Sequence, residues 1–386
     1  MTTTTTPQNS STSPASPPAS AIVLGGGAIG TSIATHLARA GLATTLATAG
    51  ELCDGASGRS LSWLNSAGDR SPEYHALRVL GVDRYRTLFA ADPSRDWLRF
   101  PGGVWWTDGA DADRETRARH DLEVDRGYES RLLGREELRA AFPGLDPDAA
   151  GDPAILNPGE GWVSLPHLVE HLAAELRERG GTIRTGLGTC EVLVEGGRAV
   201  GVRDATGTEL RADAVVVACG ASTSAVMARA GIGIPDGSPL SMLVTTEPAG
   251  VDAPVLNTPR AAVRPNPGGS FCVDHDWYVD RIREHEDGRC TVDESVVEEL
   301  LTEASRLLAP GTQLRAAGWA AGRKPIPADG EPVLGAVGAL PGCFVAFTHS
   351  GATLALVAGE TIAHEVTTGG RHPLLAAFTP DRFASA

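Results

Sequence analysis

The chain has 386 residues, 42% of them hydrophobic and 21% charged, with a formal net charge of −15. That length exceeds one simple core and predicts two domains. The acidic balance argues against nucleic acid or an anionic membrane surface as partner, since both call for a basic face.

No stretch approaches the ~18 consecutive apolar residues of a membrane span. The first 20 residues, MTTTTTPQNSSTSPASPPAS, are rich in Thr, Ser and Pro. They lack the basic and apolar regions of a signal peptide, so a disordered tail and a cytoplasmic protein are expected. The six cysteines include no C-x-x-C pair. Neither a metal site nor a disulfide framework is expected, and Cys219, set among small and β-branched residues, reads as part of a core.

The run AIVL (21–24) meets glycines at once in AIVLGGGAIG. Gly25, Gly27 and Gly30 form G-x-G-x-x-G, and Ala28 and Ile29 open a helix that Gly41 stops. Strand, glycine turn and helix stand in the order a dinucleotide site needs. The glycines permit a tight turn, close approach of a pyrophosphate and close helix–strand packing. The helix N-terminus stabilises the anion. The second strand, ATTLAT (43–48), ends in Thr48, where this fingerprint usually carries an acid for the adenosine ribose. A neutral hydroxyl makes a weaker hydrogen bond than a carboxylate.

Residues 73–89 read as a helix around Tyr74, Leu77, Leu80 and Leu88. Residues 95–150 are mixed, with Trp97, Phe100, Trp105 and Trp106 expected to pack a small sheet. A helix follows Ser164, its expected N-cap, with Pro166 in the first turn and Gly180 at its end. TIRTG and CEVLVEGGRAVGVRDATGTELRA alternate like antiparallel strands. AVVVA, in DAVVVACGAS, reads as a buried parallel strand. Residues 238–285 alternate again, with a hairpin turn at NPGG. Residues 291–308 read as an amphipathic helix. GCFVAF then gives a strand, THSG a turn, and ATLALVAGETIAHEVTTG a helix that Ser350 is placed to cap.

Five blocks stand in a recognisable order: IVLGGGAIGTSIATHLARAG, GASGRSLSWLNSAG, GWVSLPHLVEHLAAELRERGGTI, ADAVVVACGAS and GRKPIPADGEPVLG…GCFVAFTHSGATLAL. Together they resemble the FAD-dependent family of D-amino acid oxidase, glycine oxidase and sarcosine oxidase, over roughly residues 20–370. The resemblance implies an α/β fold, with a Rossmann-type FAD-binding domain (20–90, 151–236, 318–386) and a mixed β-sheet substrate domain (91–150, 237–317). It places Ser57, Gly58, Arg59 and Ser60 in the loop that reaches the pyrophosphate and flavin ring. Val192 falls where the backbone meets adenine, and Ala218 and Gly220 at the strand end beside the cofactor. His349, Ser350, Gly351, Ala352, Thr353 and Leu354 form the turn facing the flavin pyrimidine edge.

Lys324 is the only lysine in the chain. It stands where many family members carry an arginine that pairs with a substrate carboxylate. Three readings are open: a carboxylate partner, an ammonium that assists oxygen, or a survivor of GC-rich codon usage. Arg264 and Arg323 are candidate anion partners, Arg264 alternatively being a surface strand arginine. His349 lies near the reacting centre or only fixes the turn. The implied reaction is hydride transfer from a C–H next to an amine nitrogen to flavin N5, in a small amine or amino acid, with oxygen or another acceptor taking the electrons. The resulting imine is hydrolysed by water. Alternatives are dehydrogenation of a hydroxy acid or biosynthetic intermediate, and a degenerate flavin-fold subunit without catalysis.

Overall fold

The computed structural model describes residues 18–384; most of the tail expected over residues 1–20 lies outside them. The centre is a six-stranded sheet in the order Val333–Ala336, Cys343–Phe347, Ala214–Val217, Ser20–Leu24, Ala43–Ala47, Thr182–Arg184. All neighbours are parallel except Val333–Ala336. Alternation along the first strand sends Ala21 and Val23 to one face and Ile22 and Leu24 to the other. Both faces are covered, which explains the continuous apolar runs.

On one face, Ile33 and Leu37 of the helix Ala28–Arg39 pack with Leu354, Val357 and Ile362 of the helix Gly351–Thr368. On the other, Leu24, Val215 and Val217 pack with Val192, Ala199 and Val202 of an antiparallel sheet formed by Glu191–Glu195, Arg198–Arg203 and Glu209–Arg211. TIRTG departs from the sequence reading. Thr182–Arg184 pairs in parallel with Ala43–Ala47 as the edge of the central sheet. An edge strand covered on one side alternates like an antiparallel one, so its pattern misleads.

A second, eight-stranded sheet runs in the order Ala316–Arg323, Leu240–Thr246, Phe271–Asp274, Ala262–Pro265, Val255–Asn257, Gly103–Trp105, Ala154–Asn157, Arg131–Leu133. Met242, Val244, Val263 and Val273 point to one face and pack on Val297, Leu300 and Leu301 of the helix Glu294–Ser305. The opposite face carries Ser241, Arg264, Cys272 and Asp274. The strands Ala154–Asn157 and Ala316–Arg323 belong to this sheet, on the far side of the sequence-based boundaries near 150 and 318. Trp105 lies in it and Trp106 is buried in its core, while Trp97 stacks on His171 beside the strand Leu98–Arg99.

All six cysteines are free, and Cys219 packs against the central core. Among the described residues no helix is long and apolar enough to cross a membrane, and no group of His, Cys, Asp and Glu is arranged to hold a metal.

A buried polar seam joins the large sheet to a small one formed by Trp63–Leu64, Gly161–Val163 and Leu98–Arg99. Glu160 is fully buried there; it accepts a 2.7 Å hydrogen bond from the Tyr128 hydroxyl. Burial pushes its carboxyl up to about 8, against the opposing hydrogen bond from Tyr128. The folded chain therefore holds a proton that the unfolded chain releases above about 4.5. Stability from this group is present below that pH and falls as pH rises towards 8. Glu160→Gln, which cannot ionise, is expected to flatten this decline, seen as a urea midpoint that falls less between pH 5 and pH 8, on the order of the linkage range. A parallel decline in both proteins would show that Glu160 is ionised in the fold.

Candidate active site

The glycine turn is shaped by close approach. Gly25 has φ +115°, and a Cβ there would overlap the Ala218 carbonyl oxygen. A Cβ on Gly30 would overlap the carbonyl oxygen of Gly25. No residue but glycine fits either position. Ser57 Oγ accepts from the Ala28 N–H at 3.0 Å, which ties the Ala56–Arg59 turn to the same helix start. Gly27 itself has no side chain to cap this helix, and no acid lies in its first turn, so apart from the Ala28 N–H held by Ser57 the N-terminus is available to an anion.

Thr48 follows the second strand and is buried. The loop of Gly186, Leu187 and Gly188 closes over it by hydrogen bonds to the carbonyls of Gly50, Thr48 and Ala49. Val192 packs with Ala47 in the core behind this loop. Gly220 opens a 3₁₀ turn just beyond the strand Ala214–Val217. The glycine cradle and the helix N-terminus have the features that the diphosphate of FAD calls for.

The turn before the last helix lies beside this cradle, where Gly351 faces the Ile29 side chain. Ser350 occupies the N-cap position but does not cap, contrary to the sequence expectation. Its hydroxyl is held instead by the Tyr74 hydroxyl and by Arg78 Nη1. Ser164 likewise sits at an N-cap without capping, and pairs with His167 Nδ1 at 2.8 Å. Thr353 Oγ1 donates to the Trp63 carbonyl, the Ala352 carbonyl accepts from Tyr85, and the Leu354 side chain enters the core. The Leu354 side chain thus serves packing, and that of Thr353 ties the last helix to the strand Trp63–Leu64.

From the other side comes the strand Ala316–Arg323. The Arg59 guanidinium lies against Gly322, and Arg59 also donates to the Asp54 carbonyl at 2.7 Å. Arg323 is committed to a bidentate ion pair with Glu284, at 2.5 and 2.9 Å, so it is not free for a substrate anion. Lys324 Nζ sits 3.1 Å from Asp276 Oδ1 and 3.8 Å from Asp274 Oδ2. Burial works to lower its pKa, but the two carboxylates outweigh it and the net direction is up. Asp274 also receives the Tyr278 hydroxyl at 2.6 Å. Burial raises the Asp274 pKa; in Asp276 the same effect is overcome by Lys324, and the pKa is lowered.

His349 stands between this triad and two arginines. Its pKa is pushed down to about 4 although its side chain keeps contact with solvent. Desolvation is the main cause, followed by the charges of Lys324, Arg78 and Arg70. The imidazole is therefore neutral at neutral pH. Arg264 is 3% exposed and not a surface residue. It donates to the Pro265 carbonyl, Asn266 Oδ1 and Cys272 Sγ, lies 5.2 Å over the Trp162 ring, and has no carboxylate partner among the described residues.

The sequence reading did not single out Arg70, Arg78, Asp274 or Asp276, and it took Tyr74 only as part of a helix's apolar face. The helix Pro72–Ala91 buries Tyr74, Leu77, Arg78, Gly81, Val82 and Tyr85. An arginine on that apolar face was the available signal.

Residues 20–365 match the family model described as FAD dependent oxidoreductase. The chain is 27% identical to a D-amino acid dehydrogenase of Methylobacterium sp. (strain 4-46), over 91% of this chain and 96% of that one. It is 24% identical to an opine oxidase subunit of Rhizobium meliloti, over 93% and 96% of the two chains. In structure it is similar to glycine oxidase from Bacillus cereus ATCC 14579, with TM-score 0.78 and 18% identity over 92% and 97% of the two chains. An L-amino acid deaminase from Proteus vulgaris superposes with TM-score 0.80 and 18% identity, covering 96% of each chain. The cradle, the Rossmann-type sheet and this match agree, and the chain belongs to the family of FAD-dependent oxidoreductases.

Proposed function

We propose that this enzyme oxidises a C–H bond next to the nitrogen of an amine or amino acid. The observation that carries the reading is the opposed charge on the two sides of His349. One side holds Asp274 and Asp276 with a single ammonium, Lys324, between them. Two carboxylates to one cation leave room for a second cation, and a substrate amine supplies it. The other side holds Arg70 and Arg78, neither of which has a carboxylate partner among the described residues; each lies 5.7 Å from the Tyr74 ring centroid. Arg70 is half-buried with an unpartnered Nε, and is the group we assign to a substrate carboxylate. A zwitterion matches this polarity. A hydroxy acid offers no cation to the acidic side.

When bound, FAD supplies the two-electron acceptor that side chains lack. The protein's part is to orient the substrate so that the reacting carbon is presented productively. Asp276, held ionised by Lys324, favours the approach of the substrate cation. Neutral His349 is a hydrogen-bond partner for the amine and leaves no added positive charge beside it. The names of the D-amino acid dehydrogenase and opine oxidase relatives support an amine substrate.

The reading is tested by mixing the FAD-loaded protein anaerobically with α-amino acids of both hands, N-substituted amino acids and the matching hydroxy acids. Amines should bleach the flavin spectrum and hydroxy acids should not; bleaching by hydroxy acids alone would overturn the proposal. Arg70→Met should raise KM for carboxylate-bearing amines with kcat changed less, because uniform binding is lost. Unchanged KM would remove Arg70 from the substrate.

Lys324→Met should act differently. Without the ammonium, Asp276 loses the charge that holds its pKa down, so the acidic limb of the kcat/KM profile should move to higher pH. A raised KM with that limb unmoved would return Lys324 to the role of carboxylate partner. Normal reduction with slowed reoxidation would assign it to oxygen. Parent-like behaviour in every respect would leave it a product of codon usage.

A further inference from the structure

Arg78, like Arg264, is a buried charge with no carboxylate partner among the described residues, and it alone of the two reaches the turn before the last helix. It is 4% exposed, yet every acceptor it reaches is neutral: the Asn65 carbonyl, Asn65 Oδ1 and Ser350 Oγ. No carboxylate lies within ion-pair distance among the described residues. The neighbouring groups make matters worse. Ser350 stands at the N-terminus of the helix Gly351–Thr368, itself a positive pole, with no acid in its first turn. Arg70 is close enough to repel Arg78. Glu160, the buried acid behind this cluster, has its pKa raised to about 8 by burial; its charge bears on Arg70, and it forms no ion pair with Arg78. A buried cation without an anion is costly, and breaking its compensation elsewhere typically destabilises strongly. The chain keeps this one at the turn that leads into the cofactor cradle.

We propose that Arg78 is a positioning residue that sets the redox poise of the bound flavin. Acting through Ser350, it fixes positive charge at the turn 349–354 and so favours the flavin carrying a negative charge on its pyrimidine edge. The inference rests on the assignment of that turn to the flavin. The charge balance is simple. Oxidised flavin is neutral at that edge; a hydride adds two electrons and one proton, leaving one net negative charge. The buried guanidinium and the helix N-terminus are uncompensated before that transfer and compensated after it. Preorganised charge of this kind needs no rearrangement when the electrons arrive. Tyr74, which grips the same hydroxyl and faces both arginines, holds the arrangement rigid.

The test reads the flavin and not turnover, so it separates this inference from the choice of substrate. In the parent holoprotein, dithionite reduction should give the spectrum of the anionic reduced flavin even at pH values where free reduced FAD is protonated. A neutral reduced spectrum there would overturn the proposal without any variant. In Arg78→Met loaded with FAD, the reduction midpoint should move to more negative potential. Sulfite, which adds to flavin and leaves a negative charge on the same edge, should bind roughly ten- to a hundredfold more weakly, the order a nearby unit charge exerts at protein-like dielectric. Arg78→Lys, which keeps the charge, should restore most of both. If the substitution lowers stability and FAD content alone, with potential and sulfite affinity unmoved in the loaded fraction, Arg78 is a packing residue. If only the affinity for a carboxylate-bearing ligand falls, the charge belongs to the substrate. Either result rejects the proposal.

Discussion

Positive charge gathered at one buried turn, with no carboxylate in ion-pair range of Arg78 among the described residues, is the constraint on which the site depends. The guanidinium of Arg78 and the N-terminus of the helix Gly351–Thr368 meet at Ser350, and the half-buried Arg70 lies near the Tyr74 ring, close enough to repel Arg78. Such an arrangement is unfavourable in the bare chain and persists because the surrounding packing leaves no alternative. Gly81 shows how tight that packing is: a Cβ there would overlap the Thr353 carbonyl, so the helix Pro72–Ala91 can approach the last helix only as glycine. That approach delivers Tyr74 and Arg78 to Ser350. The same contact joins the two halves of the cofactor side, because the turn continues to Gly351 and Ile29 at the glycine cradle.

The large sheet answers this positive turn with the opposite sign. Its strands turn the apolar alternation Val263, Val273 and Val244 towards the helix Glu294–Ser305. Their other faces carry Asp274, Ser241 and Arg264, as strand parity requires, and the carboxylate of Asp274 is the part of that face that meets Lys324. Lys324 lies one residue past the strand Ala316–Arg323 and is drawn to Asp274 and Asp276, while Arg323, on the opposite parity, goes to Glu284. Neighbouring basic residues thus take separate roles because a strand sends consecutive side chains to opposite faces.

Much of the fold was legible in the sequence because its signals are local. The glycine turn, the helix starting after Ser164, the run AVVVA and the NPGG hairpin each depend on residues within a few positions of one another. The cofactor assignment was legible for the same reason. The site was legible only where a side chain acts at its own turn. Ser350 was read as a cap, yet its partners are 276 and 272 positions away in Tyr74 and Arg78. Asp274 and Asp276 carry no local signal, and only the pairing of strands across the sheet brings them to Lys324. Arg323 was expected beside the substrate because it adjoins Lys324 in sequence; strand parity removes it. Arg78 carried a usable sign, a charge on the buried stripe Tyr74–Leu77–Gly81, that periodicity alone does not distinguish from a surface arginine.

The central claim is the polarity of the site: an acidic side that receives the amine and a basic side that receives anionic groups. A crystal structure of the FAD-loaded protein with an unreactive amine bearing one carboxylate tests it most directly. The account predicts the nitrogen towards Asp274 and Asp276, with the Lys324 ion pairs retained, and the carboxylate towards Arg70. A carboxylate bound to Lys324, with the two aspartates displaced from it, would contradict the account.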